Sequence, residues 1–222
     1  MGFLSFLWGL GGCKESAPPS QERSGQVYAT AQLNHLLMPL ARGERYEDPL
    51  HEALCQKGFG GVDGGGTMQL KSGEIEYIDI EIILNNTADG IPFVIEQLES
   101  WGAPKGSVLR IHDTEPSREI PFGEIEGVAV YLDGVNLPPE VYASSDINVV
   151  IEEFIKILKG CGSVQGYWQG PTETALYLYG DDAEEIKRLI KDFLQTYPLC
   201  KGSRIVTIAP KVDSTSSNNA EN

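Results

Sequence analysis

The chain has 222 residues, of which 32 are acidic and 17 basic, so its formal net charge is −15. Proteins that bind nucleic acid normally carry a basic patch, and a chain this acidic with no run of Lys or Arg argues against such a partner. The hydrophobic content of 41% is that of a globular protein, and the length allows one large domain or two small ones.

The chain begins with an apolar segment that ends in Leu10-Gly11-Gly12-Cys13, and a polar stretch follows up to Ser24. This ending resembles the lipobox of bacterial lipoproteins, which would imply lipidation of Cys13. The lack of Lys or Arg before the apolar run, and its shortness, argue against a signal peptide. No other stretch approaches the roughly 20 apolar residues of a membrane span. We therefore expect a cytoplasmic protein, with a lipoprotein anchored at Cys13 as the alternative.

Residues 25–112 predict a first unit with the order β-α-β-β-α-β. Its first strand is expected over 27–33, with a helix through Met38 as the alternative. Pro49 follows an Asp and suits the first turn of a helix that ends near residue 58. A glycine-rich strand or loop then covers 59–70.

The segment from Glu74 to Leu84 shows the alternation of a half-buried strand. The following helix is expected to take Thr87 or Asp89 as its N-cap and to end at Gly102. A last strand over 108–111 completes the unit. The residues expected to point into the core from the alternating strand are Ile78, Ile80, Ile82 and Leu84.

The chain repeats this pattern, which predicts an internal duplication. Three collinear blocks match, with offsets that differ only by small insertions in loops. The matched pairs are Ile80/Leu176 and Leu98/Leu194 at an offset of 96, Lys57–Gly64/Lys159–Gly166 at 102, and Leu33/Leu132 at 99.

The second unit is expected over 123–210, joined to the first by a polar linker over 113–122 and followed by a polar tail over 211–222. In this unit, Ser145 or Asp146 is the expected cap of one helix, and Asp182 that of the last. The predicted fold class is α+β, with two tandem ferredoxin-like βαββαβ units packed as a pseudo-dimer.

Three sequence features could carry chemistry, and each has a simpler interpretation. The glycine cluster 58–67 follows a helix and enters a strand, which is the reverse of the order in a phosphate loop. His51 and Cys55 share a helix face and could supply two zinc ligands, but no second pair of ligands follows. The four cysteines show no paired spacing and are expected to be reduced, small core residues. No catalytic residue, cofactor or metal is predicted.

The strongest candidate for a contact surface is an acidic strip on the first sheet, with an aromatic strip on the second, because aromatic residues are enriched where partners dock. The alternative is that the two sheets face each other inside the protein and these residues only pack. The predicted partner-binding residues are Glu74, Glu76, Asp79, Glu81, Tyr177 and Tyr179.

A small acidic protein with open sheets and no catalytic motif resembles, in general type, the immunity proteins of bacterial toxin systems. The resemblance implies a non-enzymatic protein that binds a basic partner, such as a toxin or an enzyme, and occludes its site. It assigns no residues. The alternative is a small-ligand sensor or enzyme that uses a groove between the repeats, with the glycine-rich segment as a mobile wall.

Overall fold

The computed structural model describes residues 25–210. The predictions for the N-terminal segment, including lipidation of Cys13, and for the tail 211–222 lie outside these residues.

The first unit contains a five-stranded antiparallel sheet with the strand order β2-β3-β1-β4-β5. Two helices cover one face, and the first of them follows a short helix and a π-helical turn over Gly43–Glu47. The elements are β1 (Val27–Leu33), α1 (Pro39–Arg42), α2 (Asp48–Lys57), β2 (Gly60–Gln69), β3 (Ile75–Leu84), α3 (Thr87–Ser100), β4 (Ser107–Ile111) and β5 (Arg118–Phe122).

The second unit contains a four-stranded antiparallel sheet with the order β7-β8-β6-β9, which is the order of the first four strands of the other sheet. The elements are β6 (Glu126–Asp133), α4 (Pro139–Ser144), α5 (Ile147–Ile157), β7 (Gly162–Gln169), β8 (Glu173–Gly180), α6 (Ala183–Thr196) and β9 (Arg204–Ala209). Both units therefore have the ferredoxin-like arrangement expected from the sequence.

The strand register supports the duplication. The β2–β3 and β7–β8 pairs have the same alignment, and each interrupts it with one extra residue at the same place. The extra residue is Asp63 in the first unit and Gln165 in the second, 102 positions later. A β-bulge at equivalent positions in both units is a feature of the fold and not a local irregularity.

Each unit buries apolar side chains between its sheet and its helices. In the second unit the core contains Phe154 from α5 and Ile190 from α6 against Leu176 and Leu178 of β8. In the first unit the core contains the alternating residues of β3, as predicted, but it also extends to residues of the second sheet. The two units thus pack together.

Some local predictions were wrong. The expected linker contains β5, which pairs with β4 and adds an edge strand to the first sheet; Pro121 is tolerated there because an edge strand leaves one side unpaired. The N-cap of α3 is Asn86, whose side chain accepts from the backbone N–H groups of Ala88 and Asp89. Asp146 and Asp182 cap α5 and α6 as expected.

None of the helices within residues 25–210 is long and apolar enough to cross a membrane.

Candidate functional site

The two sheets differ in whether the face opposite their helices is covered. On the second sheet this face carries Tyr131, Tyr177 and Tyr179, which are 8%, 0% and 1% exposed. The first unit covers it with the β1–α1 connection and the turn before β3. The prediction that Tyr177 and Tyr179 form an accessible aromatic strip is therefore wrong, and the packing alternative holds for this sheet.

Glu74 also belongs to the contact between the units. Its Oε1 accepts hydrogen bonds from the hydroxyl groups of Tyr131, at 2.6 Å, and Tyr177, at 2.9 Å. Burial, together with the adjacent Glu74 carboxylate, raises the pKa of both tyrosines. Glu74 thus fixes the second sheet against the first unit, and it does not contribute to an open acidic strip.

A buried polar cluster lies beside this contact. His35 is fully buried, and its Nδ1 lies 2.9 Å from the hydroxyl of Tyr46, which donates to the carbonyl of Gly102. The Tyr179 hydroxyl accepts from the Leu36 N–H. Burial, with a smaller effect of nearby Arg45, holds the pKa of His35 well below its ordinary value. This imidazole is therefore neutral at pH 7.

The corresponding face of the first sheet is the open one. Strand register places Glu81 beside Thr30, and Thr30 beside Arg110 on the next strand. One step along the strands, Asp79 lies beside Gln32. Two of the predicted partner-binding residues, Asp79 and Glu81, are therefore on this face.

The remaining predicted residue, Glu76, lies on β3 at a bulge opposite β2 and is partly buried. It is adjacent in sequence to Tyr77, whose side chain is on the open face with Asp79 and Glu81. The structure therefore leaves Glu76 at the end of the acidic strip, next to the contact made by Glu74.

Glycines of the edge strand β2 flank Asp79 and Glu81 on one side. Gly66 is paired with Asp79 and Gly64 with Glu81 along the edge strand β2. A Cβ at Gly64 would have no atom within 4 Å, and one at Gly66 would meet only Asp79 Cβ. The bare strand leaves the two carboxylates open to a partner that approaches over the sheet edge.

Asp79 is distinguished by a buried, unpaired oxygen and a raised pKa. Its Oδ1 is buried and has no hydrogen-bond partner, although the residue as a whole is partly exposed. Burial raises its pKa, and the neighbouring Glu81 carboxylate adds to this effect against the opposing charges of Arg110 and Arg42. Within residues 25–210, no Lys or Arg nitrogen lies within 4.0 Å of either carboxylate.

The cation that crosses this face is already neutralised. Arg110 Nε donates to Glu119 on β5 at 2.8 Å. Glu81 instead accepts from the Thr30 hydroxyl, which also lies 2.9 Å from His112 Nε2. Within residues 25–210, the open face thus holds two carboxylates that form no ion pair with a Lys or Arg side chain.

A recess of about 400 Å³ lies between the two units. Its lining includes Arg45, Ser163 and Gln165, and Arg45 donates from Nε and Nη2 to the Trp101 carbonyl. The glycines on its wall are Gly102 of the first unit and Gly160, Gly162 and Gly180 of the second. The glycine-rich segment 58–66 does not line this recess, so the expectation that it forms a mobile wall of the groove is wrong.

Sequence reasoning missed most neighbours of Asp79 and Glu81. Gln32, Thr30 and Arg110 reach them only through strand pairing between segments that are far apart in sequence. The signal that was available is the polar alternation in β1, where Thr30 and Gln32 interrupt Ala29, Ala31 and Leu33.

In the part of the chain that the structure describes, no group of three or more His, Cys, Asp or Glu side chains is placed to hold a metal ion.

Comparison with known proteins adds little to this geometry. No protein-family model matches the chain, and no curated protein matches it. Among solved structures, the first two RRM domains of the yeast poly(U)-binding protein align with 82% of this chain and 99% of theirs, at 10% identity and a TM-score of 0.23.

Two other solved structures align over similar lengths. An unknown protein from Galdieria sulphuraria covers 82% of this chain and 96% of its own, at 11% identity and a TM-score of 0.24. A putative monooxygenase from Fusobacterium nucleatum covers 83% and 92%, at 10% identity and a TM-score of 0.27. These similarities are too low to carry a functional argument, and the tandem ferredoxin-like description rests on the strand order and register of both sheets.

Proposed function

We propose that the protein is a non-enzymatic binding protein whose open first sheet receives a basic protein partner. The observation that carries this proposal is Asp79, which holds a buried carboxylate oxygen without a donor beside a second carboxylate, Glu81, on an uncovered sheet. The two carboxylates repel each other, and a partner that supplies a positive charge relieves this repulsion.

A Lys or Arg side chain is the donor that fits best. It would pair with the exposed carboxylate of Glu81 and reduce the repulsion between Asp79 and Glu81 in the same contact. The overall charge of −15 would also accelerate encounter with a positively charged protein. The same carboxylates repel phosphate groups, so this surface suits a basic protein and not nucleic acid.

We further propose that the partner is a basic toxin or a basic enzyme. A basic toxin or enzyme whose active site is occluded by the acidic sheet would match the general type that the sequence resembles. Support for it consists of the charge complementarity and the bare glycine edge beside the carboxylates.

Affinity capture from the native host, with washes at low and high salt, tests this proposal. Three baits are required: the wild type, Asp79→Lys with Glu81→Lys, and a control with Glu140→Lys and Glu152→Lys. The control changes the net charge equally, but on exposed helix positions of the second unit. We expect the wild type and the control to retain one stoichiometric basic protein that high salt releases, and the face variant to lose it. Equal capture by all three baits would contradict the proposal.

The recess between the units supports a second candidate function, the binding of a small anionic ligand. Arg45 lines this recess, and within residues 25–210 no carboxylate lies within 4.0 Å of its guanidinium. Screening nucleotides and acidic amino acids by thermal shift tests it, because a ligand specific for the native state raises the melting temperature. A shift that Arg45→Met abolishes would support this candidate, and the absence of any shift would oppose it.

A further inference from the structure

His51 and Cys55 on α2 form a pair that the proposed function does not use. The distance between His51 Nε2 and Cys55 Sγ is 3.5 Å, and both side chains are exposed. The expectation that Cys55 is a buried core residue is therefore wrong, whereas Cys200 is buried as expected. One helical turn separates the two residues, so the helix itself holds the thiol and the imidazole together.

The other nitrogen of the imidazole is held by the edge of the sheet. His51 Nδ1 lies 3.2 Å from both the backbone N–H and the carbonyl of Val62 on β2. Gly61, the residue before Val62, lies close to this ring, because a Cβ at Gly61 would be 3.3 Å from it. The strand thus orients the imidazole so that Nε2 remains directed at the cysteine.

This geometry fits a proton transfer from the thiol to the imidazole. In the neutral pair, the Cys55 thiol can donate to His51 Nε2 or to the Gly60 carbonyl, which is 3.6 Å away. After transfer, Nε2–H donates to the thiolate and Nδ1–H donates to the Val62 carbonyl, so both imidazolium protons have acceptors. A nucleophile, a base within hydrogen-bond reach and a group that orients the base are the elements of an activated thiol.

We propose that Cys55 is a nucleophilic thiol activated by the imidazole of His51. The pair would then be a site of mixed-disulfide formation with small-molecule disulfides. A recess of about 260 Å³ adjoins the sulfur and is lined by Gly60, Gly61 and Ile83, among others. It provides space for one half of a small disulfide above the edge of β2.

The reaction is a thiol–disulfide exchange. The Cys55 thiolate attacks one sulfur of R–S–S–R, a Cys55–S–S–R bond forms, and the original S–S bond breaks. The leaving thiolate takes the proton from His51 Nε2 and departs as R–SH. Cys55 is oxidised and one half of the small disulfide is reduced, so no further oxidant is required.

The test measures the modification of each cysteine at pH 7 with 2-hydroxyethyl disulfide, followed by peptide-level mass spectrometry. The probe is uncharged, so the acidity of the protein does not affect its approach. Because the imidazole lies within hydrogen-bond reach of the thiol and can take up its proton, we expect His51 to raise the rate at Cys55 by about tenfold. The variant His51→Gln removes the base and retains an amide that can bind the Val62 peptide.

We expect His51→Gln to slow modification of Cys55 by about tenfold and to leave the rate at Cys161 unchanged. Denaturation of both proteins should abolish the difference between their rates at Cys55. A rate at Cys55 that is the same with and without His51 would overturn the proposal, since exposure alone would then explain its reactivity. Cys161, which is partly exposed and not within reach of this histidine, corrects for any general effect of the substitution on folding.

Discussion

At the scale of single residues, two acidic side chains, Asp79 on β3 and Glu74 immediately before this strand, have opposite roles. Glu74 accepts from two tyrosine hydroxyls of the second sheet and so belongs to the interior contact. Asp79 has a buried oxygen without a donor on the open face of the first sheet. The difference arises from position along the strand, because one end of β3 is covered by the second unit and the middle is not.

The raised pKa of Asp79 predicts a pH-dependent effect on stability. The folded state holds the Asp79 proton more tightly than the unfolded chain, so the contribution of this residue to stability falls as the pH rises through its folded pKa. Asp79→Asn should therefore stabilise the protein at pH 7, by at most about 1 kcal/mol because the residue is half-exposed.

Urea unfolding between about pH 4 and pH 7 checks this prediction. The stability advantage of Asp79→Asn should shrink toward the acidic end of the series. Glu96→Gln, on the exposed surface of α3, is the matched charge control. An advantage that is independent of pH would contradict this account of the Asp79 carboxyl.

The hydroxyl of Tyr177 should contribute measurably to stability. Tyr177→Phe removes a buried hydrogen bond to Glu74, but Tyr131 still donates to the same carboxylate. We expect a loss of about 1 to 2 kcal/mol in the free energy of unfolding. Tyr167→Phe, at a side chain that is 64% exposed, should change it by less than about 0.5 kcal/mol. Equal effects in urea titrations would show that the hydroxyl of Tyr177 is not paired in the fold.

At the scale of elements, most strands and helices could be predicted because their signals are local. The alternation in β3 predicted which of its side chains enter the core, and the block matched at an offset of 102 contains the β2 and β7 segments in which the structure shows equivalent β-bulges. The π-helical turn over Gly43–Glu47 was missed because its packing depends on distant residues, such as Gly102, whose carbonyl accepts a hydrogen bond from Tyr46. The strand β5 was missed because its segment is polar and contains Pro121, although it pairs with the adjacent strand β4.

The cap of α3 offers a direct test of one correction. Asn86 accepts from the N–H groups of Ala88 and Asp89, so Asn86→Ala leaves two donors without this partner. The expected loss is about 1 kcal/mol. Thr87→Ala should cost less than about 0.5 kcal/mol, because Thr87 is not the cap. Thermal unfolding of the two variants compares them, and the reverse ranking would restore Thr87 as the capping residue.

The burial pattern of α5 makes a sharper prediction. Phe154 is fully buried in the core of the second unit, whereas Ile155, the next residue, is 55% exposed. Phe154→Ala should cost about 3 to 5 kcal/mol of unfolding free energy, and Ile155→Ala should cost less than about 0.5 kcal/mol. Chemical denaturation measures the unfolding free energy of both variants. Similar losses would indicate that α5 is rotated about its axis relative to the orientation described here.

At the scale of the whole molecule, the two units contact each other through different surfaces. The second unit contributes the face of its sheet that lies opposite its helices, whereas the first contributes the β1–α1 connection and the turn before β3. The sequence predicted two packed repeats and named both candidate strips. It could not determine which sheet is covered, because that outcome depends on contacts between residues that are about 100 positions apart, such as Glu74 and Tyr177.

The open face of the first sheet is the proposed binding surface of the protein. The most direct measurement is a titration of ¹⁵N-labelled protein with a short peptide rich in Lys and Arg, followed by amide chemical shifts. We expect shifts concentrated on β1, β3 and β4, which Asp79→Lys with Glu81→Lys abolishes and Glu140→Lys with Glu152→Lys preserves. Shifts centred on the second unit, or shifts that persist in the face variant, would contradict it.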